Sequence, residues 1–328
     1  SMPLYYPLRL RPPVTGLKAL IMSSSKKRVS SPFHPRYAGS WLALGVLRLL
    51  GEVPMPALYH AGTFLGDLLR LLVPSRRRIA ERNLALCFPD QPKQQVAVMA
   101  RENIRNTARM LLYTGFVWWA PREKLMNRVR VRNPQVLEQC LKTGRGIVIL
   151  APHFLALELG GVFLSLHYGG VSVYQRTRNP VFDRFMLRAR QRFGARLFER
   201  KSDLKQMIRA IRDGKPCYYL PDQDPGPRRA VFAPFFGIPT ATWPVLGRLA
   251  KMGGATVLPC ATYLLPKGEG FELIFDAPLE AFPTGDALAD AKRMNLAIEA
   301  CVQRSPLQYF WVHKRFKTRP PGAPDPYD

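Results

Sequence analysis

Two side chains invite a chemical reading first. In the segment Leu150-Ala151-Pro152-His153-Phe154-Leu155-Ala156-Leu157-Glu158, an imidazole and a carboxylate stand five residues apart. A carboxylate beside an imidazole fixes its tautomer and stabilises its protonated form. That is what a general base for hydroxyl activation requires. His153 and Glu158 are therefore the expected catalytic pair, with Glu158 orienting His153. On a continuous helix five residues turn by about 500°, or about 140° net, so the two would not face each other. The pairing needs His153 in the turn before the helix, which Pro152 favours. Two further loops carry polar groups. Tyr174-Gln175-Arg176-Thr177-Arg178-Asn179-Pro180 offers two guanidinium groups, suited to phosphate or carboxylate. Leu220-Pro221-Asp222-Gln223-Asp224-Pro225-Gly226-Pro227 offers carboxylates for sugar hydroxyls, a metal or nearby arginines, although Asp-Pro-Gly-Pro also reads as a plain turn. From Arg176 to Arg229 the chain has 15 basic side chains against six acidic ones, Arg200 among the former.

All three loops follow strand-like runs. Ile147-Val148-Ile149-Leu150 is short and wholly apolar, as in a parallel strand buried on both faces. Val171 to Tyr174, Cys217 to Leu220, Ala255 to Thr262 and Phe271 to Asp276 read as further strands. Helices are expected over 155–167, 181–192, 202–213 with Ser202 as N-cap, 243–252 and 287–302. The alternation predicts an α/β fold with a largely parallel central sheet flanked by helices. Sites in such sheets form at the carboxyl ends of strands. Residues 75–143 read as helical, with a stop after Val117-Trp118-Trp119 at Pro121. Residues 40–73 are the most apolar stretch, but Arg48, Glu52, Asp67 and Arg70 interrupt it and Pro54 and Pro56 split it. Two short helices lying in a membrane interface fit it at least as well as one spanning helix, with Trp41 and Tyr59 suited to that depth. Arg76, Arg77 and Arg78 would then face anionic headgroups. The expected organisation is a basic, poorly ordered N-terminus over 1–39, a membrane-anchoring helical segment over 40–73, a catalytic α/β domain over 74–319 and a loose tail over 320–328.

The formal net charge is +26, from 49 Lys and Arg against 23 Asp and Glu. Such a surface attracts nucleic acid, an anionic leaflet or an acidic carrier protein. No helix-turn-helix, RNA-recognition or zinc-finger pattern is present and the basic residues are spread, which argues against nucleic acid. Five scattered cysteines without a CxxC argue against a disulfide framework and a zinc site. Neither a Gly-x-Ser-x-Gly turn nor an evident cysteine nucleophile appears, and no metal or cofactor is expected.

Several separated blocks resemble the late acyltransferases of lipid A biosynthesis, the lauroyl/myristoyl acyltransferase family, from about Ala80 to Pro321. They are Arg82-Asn83-Leu84-Ala85-Leu86-Cys87-Phe88-Pro89, His153-x4-Glu158 with Leu159-Gly160, Asn179-Pro180, Pro221-Asp222-Gln223-Asp224, Pro234-Phe235-Phe236-Gly237, and the long run Gln308-Tyr309-Phe310-Trp311-Val312-His313-Lys314-Arg315-Phe316-Lys317-Thr318-Arg319-Pro320. Some members carry an arginine directly after the tyrosine of the third loop. Here Gln175 holds that place and Arg176 follows. The resemblance implies a glycerolipid-acyltransferase-like fold at the cytoplasmic face of a bacterial inner membrane. It implies transfer of an acyl chain from acyl carrier protein to a hydroxyacyl chain of an anionic, Kdo-bearing lipid A precursor, and the lack of a Gly-x-Ser-x-Gly turn or evident cysteine nucleophile favours direct transfer without an acyl-enzyme. Arg176 or Arg178, with Arg200, would hold anionic groups, and Asn179, Asp222, Gln223 and Asp224 complete the expected substrate-binding set. A lysophospholipid or glycerol-phosphate acyltransferase shares the His-x4-acid logic but lacks the C-terminal block. A non-catalytic binder of anionic surfaces is the alternative from another class.

Overall fold

The run Gly146–Leu150 is buried at every position, as a strand in mid-sheet must be. In this computed structural model, which describes residues 32–199 and 203–328, the chain begins with four helices. They are α1 (Ala38–Leu50), α2 (Met55–Leu72), α3 (Pro74–Cys87) and α4 (Lys93–Trp119). A short α5 (Arg122–Met126), β1 (Val129–Arg132) and α6 (Pro134–Lys142) lead into β2 (Gly146–Leu150). Then come α7 (Leu157–Tyr168), β3 (Val171–Tyr174), α8 (Pro180–Gln191), β4 (Arg196–Glu199), α9 (Leu204–Arg212) and β5 (Cys217–Tyr219). The remaining elements are β6 (Val231–Phe235), β7 (Ile238–Thr242), α10 (Val245–Gly253), β8 (Ala255–Leu264), β9 (Phe271–Phe275) and α11 (Ala287–Arg304).

Seven strands form one sheet in the order β1-β9-β8-β2-β5-β3-β4. All neighbours run parallel except β8 and β9. The expected α/β architecture is thus present. The order β2-β5-β3 has a direct consequence: the three polar loops leave adjacent parallel strands at the same carboxyl end of the sheet.

Four strands, β1, β4, β6 and β7, are not expected from the sequence. β1 lies inside the span read as helical, and β1 and β4 are the two edges of the sheet. Val129-Arg130-Val131-Arg132 alternates, with the arginines exposed and the valines half-buried, as an edge strand does. β6 and β7 form a separate hairpin closed at Phe236-Gly237, where φ is 49° and 74°. Two consecutive positive φ values are the turn whose twist matches a β-hairpin. The helix expected from Ser202 begins at Leu204, and Ser202 itself lies outside the described residues.

The apolar N-terminal stretch is two helices, broken at Pro54 as its prolines suggest. α2 lies directly against α4. A Cβ built on Gly62 would stand 2.7 Å from Cα of Arg109, and one on Gly66 2.5 Å from Cα of Arg105. Any side chain there would force the two helices apart. Beside this contact Asp67 accepts paired hydrogen bonds from Arg101 (2.8 and 3.0 Å) and Arg105 (3.0 and 2.7 Å), which hold its carboxyl well below the usual range. Arg109 is buried, bonded to Glu102, Asn106 and Thr63 and stacked over Tyr59. Each of α1 and α2 keeps a bare apolar face: Leu42, Val46 and Leu49 on α1, and Phe64, Leu68 and Leu71 on α2, all exposed and spaced four then three apart. No helix among the described residues is long and apolar enough to cross a membrane.

The C-terminal residues fold back on α3. The Tyr327 hydroxyl donates to Asn83 Oδ1 and accepts from the Phe316 N–H, and Arg82 reaches the Pro326 carbonyl.

Candidate active site

β2 and β5 pair through Leu150 and Tyr219, and the ladder continues one step as the Ala151 N–H donates to the Tyr219 carbonyl at 2.9 Å. The chain exits of the two strands are therefore side by side. His153 sits on one exit and Asp222 on the other. Asp222 Oδ1 lies 2.5 Å from His153 Nδ1, and its Oδ2 accepts the His153 backbone N–H at 2.8 Å. The Tyr309 hydroxyl donates to the same Oδ2 at 2.8 Å. Asp222 is 1% exposed, so these three donors must satisfy it. Burial pushes its carboxyl up, but the His153 charge and hydrogen bonds and the Tyr309 hydroxyl outweigh burial and hold it below the ordinary range. Asp222 is therefore ionised at neutral pH. An ionised Asp222 keeps the proton on Nδ1 and leaves Nε2 as the basic nitrogen.

The contact expected between His153 and Glu158 is not formed. His153 is indeed in the turn before α7, yet its ring nitrogen meets Asp222. Glu158, in the first turn of α7, is gripped by Arg190 from the last turn of α8: Nε donates to Oε2 at 3.0 Å and Nη2 to Oε1. Burial lowers the Arg190 pKa, but the charge and hydrogen bonds of Glu158 more than offset it, so the guanidinium stays charged. Arg190 Nη1 carries no hydrogen bond to the described residues. α7 lies tightly on the sheet beside this pair. A Cβ on Gly160 would stand 2.6 Å from both the Tyr218 hydroxyl and Thr262 Oγ1, and that tyrosine donates to the Leu157 carbonyl at 3.0 Å.

His153, Glu158 and Arg190 all line one cavity of about 1570 Å³. This exceeds the ~300–1,000 Å³ of a drug-sized site. Part of its wall is apolar, with Leu164, Val171, Leu197, Phe198, Met207, Ile208 and Leu249. Arg176, Gln223, Arg229 and Arg248 supply polar groups. Each methylene buried against such a wall contributes about 0.8 kcal/mol, so the lining suits a hydrocarbon chain.

The other expected substrate ligands are placed differently. Asn179 caps α8, its Oδ1 accepting from the Val181 and Phe182 N–H groups at 3.0 and 3.3 Å, while its amide donates to Ser40 on α1 at 2.7 Å. Arg178 is exposed on the same loop but does not line the cavity. Asp224 ties loops together: it accepts from the Gly226 and Thr318 N–H groups, both at 2.7 Å, and its own N–H donates to His313 Nε2 at 3.3 Å. Arg200 lies outside the described residues. The sequence reading did not single out Arg190 or Tyr309 for the site. Arg190 was one basic residue among many on a helix, whereas Tyr309 did stand in the long C-terminal block. Among the described residues no group of three His, Cys, Asp or Glu side chains is arranged to hold a metal ion.

Residues 25–318 match the family model described as bacterial lipid A biosynthesis acyltransferase. The chain is 36% identical over 311 residues to a lipid A biosynthesis lauroyltransferase of Escherichia coli K12, covering 93% of this chain and all of that one. It is 36% identical over 299 residues to a lipid A biosynthesis acyltransferase of Haemophilus influenzae, covering 90% of this chain and 95% of the relative. With a lipid A biosynthesis myristoyltransferase of E. coli K12 the identity is 32% over 299 residues, 90% of this chain and 91% of the other. By both measures the chain belongs to the bacterial lipid A biosynthesis acyltransferase family.

Proposed function

We propose that this protein moves a fatty acyl chain from acyl carrier protein to a hydroxyl on a hydroxyacyl chain of a Kdo-bearing, phosphorylated lipid A precursor, at the cytoplasmic face of a bacterial inner membrane. The observation that carries this reading is His153, backed by buried Asp222 and opening on a large cavity that is part apolar and part arginine-lined. In the reaction the acceptor hydroxyl oxygen attacks the thioester carbon as His153 Nε2 takes its proton. The C–S bond then breaks, and the imidazolium returns the proton to the leaving thiolate. Asp222 balances the imidazolium meanwhile.

The tetrahedral intermediate needs a partner for its oxyanion. The backbone N–H groups after His153 are largely committed: Phe154 to Pro152, Leu155 to Gln308, Leu157 to Phe154 and Leu159 to Ala156. Arg190, with Nη1 unused, is the better-placed donor. Glu158 holds it, so Glu158 serves catalysis through Arg190 rather than through His153. Arg176 at the cavity, with Arg178 outside it, suits the phosphates of the acceptor.

The bare apolar faces of α1 and α2, followed by Arg76, Arg77 and Arg78, suit a helical pair lying in an anionic leaflet rather than crossing it. Vesicles of anionic phospholipid test this. The protein should co-sediment with them, and replacing Leu42, Leu49 and Phe64 by Asp should weaken partitioning more than tenfold, since each buried large apolar side chain contributes about 1.5–3 kcal/mol. Undiminished partitioning of the triple variant would contradict the assignment of these faces.

Acceptor choice tests the chemistry. With acyl-acyl carrier protein as donor, the precursor should gain the mass of one acyl chain while a lysophospholipid stays unchanged. Transfer to the lysophospholipid alone would place the protein among glycerolipid acyltransferases.

A further inference from the structure

Asp222 has a partner that the transfer reaction does not itself call for. Tyr309 is buried, and its hydroxyl reaches the oxygen of Asp222 that also takes the His153 N–H. The segment around it is held from two sides. Towards the active site, Phe154 and Tyr309 form an antiparallel bridge: the Phe310 N–H donates to the His153 carbonyl and the Leu155 N–H to the Gln308 carbonyl, both at 3.0 Å. Towards the N-terminal helices, two buried asparagines grip its carbonyls in pairs. Asn103 of α4 donates to Leu307 at 3.1 Å and Tyr309 at 2.8 Å, and Asn83 of α3 donates to Trp311 at 2.6 Å and His313 at 2.8 Å. Such pairing fixes the segment's height above the sheet. The Tyr309 ring is wedged between Phe154, Trp311 and Phe235. A phenol clamped this firmly can aim its hydroxyl at one atom only.

We propose that Tyr309 is a positioning residue for the reaction: its hydroxyl, fixed by the Asn83–Asn103 grip on residues 307–313, tempers the charge of Asp222 and so sets the basicity and orientation of His153. The proposal rests on the reading of His153 as general base. Burial and the neighbouring Asp222 charge push the Tyr309 phenol well above its ordinary range, so it remains a donor throughout the working pH range. The other groups bearing on this cluster are His313 and Arg315 from the same C-terminal block and Cys87 from α3. His313 is pushed down by burial, Arg315 and His153, and remains neutral near pH 7; Cys87 is pushed up by burial, with Glu299 adding to it, and remains a thiol. At neutral pH neither therefore adds a charge beside Asp222.

The sign of the effect follows. A carboxylate deprived of one donor attracts the imidazole proton more strongly, which favours the charged form of the ring. In Tyr309→Phe, whose ring keeps its packing, the acidic limb of the kcat/KM profile should move up by about one pH unit, and the plateau rate should fall about three- to tenfold. Incorporating 3-fluorotyrosine at position 309 strengthens the donor without disturbing the fold and should move the same limb down. Opposite shifts in the two proteins establish the role. A limb that stays at the wild-type pH in either protein overturns it, whatever the plateau rate, because loss of packing alone lowers the rate without moving the limb. If Tyr309→Phe does not fold, the fluorotyrosine protein decides alone. Retained activity in His153→Ala is a separate outcome and would sink the general-base reading itself.

Discussion

Asp222→Asn is expected to lower kcat by about 10³–10⁴-fold, close to the loss from removing an imidazole partner of this kind altogether. The reason lies in the three donors around the side chain. The position of Oδ2 receives both the His153 N–H and the Tyr309 hydroxyl, so the amide oxygen must take that place. The amide NH₂ is then left facing Nδ1. Two donors cannot share one hydrogen bond, so Nδ1 must give up its proton and become the acceptor, which moves the imidazole proton to Nε2. The base is then blocked on the side facing the acceptor hydroxyl. Because the replacement is nearly isosteric, the fold and the KM for the lipid should change little. His153→Ala should cost about 10²–10⁴-fold, and the double variant should be little worse than either alone, since the two residues act as one unit. Single-turnover rates on all three proteins, with circular dichroism to verify folding, check this. Wild-type kcat in Asp222→Asn would remove Asp222 from the mechanism.

Arg190→Ala is expected to lower kcat by about 10²–10³-fold, the usual loss on deleting an oxyanion donor. Glu158→Gln should cost less, because it keeps the side chain's shape but loosens the grip on Arg190. Arg190→Lys should not rescue. The Glu158 contact uses two guanidinium nitrogens in a fork, and an ammonium group cannot keep both bonds while leaving a third donor for the substrate. The loss should fall on kcat more than on KM, as befits a contact made in the transition state. A variant that raises KM with kcat unchanged would make Arg190 a ground-state ligand, for instance of an acceptor phosphate. Rate measurements at saturating and at low acceptor separate the two cases.

The strand-end loops were legible in the sequence because buried parallel strands advertise themselves. Ile147-Val148-Ile149-Leu150 is wholly apolar, and the polar residues after it stand out. Which loops meet was not legible. His153 and Asp222 are brought together by the adjacency of β2 and β5, and strand order leaves no mark on a local sequence window. A local window therefore pairs His153 with the nearer acid, Glu158, although helical geometry counts against that contact unless the turn folds back. Arg190 was hidden for a similar reason, since its partner lies one helix, one strand and one loop away. β1 and β4 were missed because edge strands tolerate the charges that mark helices: Arg130 and Arg132 in one, Arg196 and Glu199 in the other. The prolines at 54 and 56, by contrast, marked the break between α1 and α2 directly, since a proline ring bars the helix before it from continuing.

The measurement that bears most directly on the account is the product mass after incubating the purified protein in detergent with acyl-acyl carrier protein and the Kdo-bearing tetra-acyl precursor, wild type beside His153→Ala. A gain of one acyl chain by the wild type and none above background for the variant is the expected result. An equal gain by both would contradict it, since the chemistry would then proceed without the imidazole on which the whole site converges.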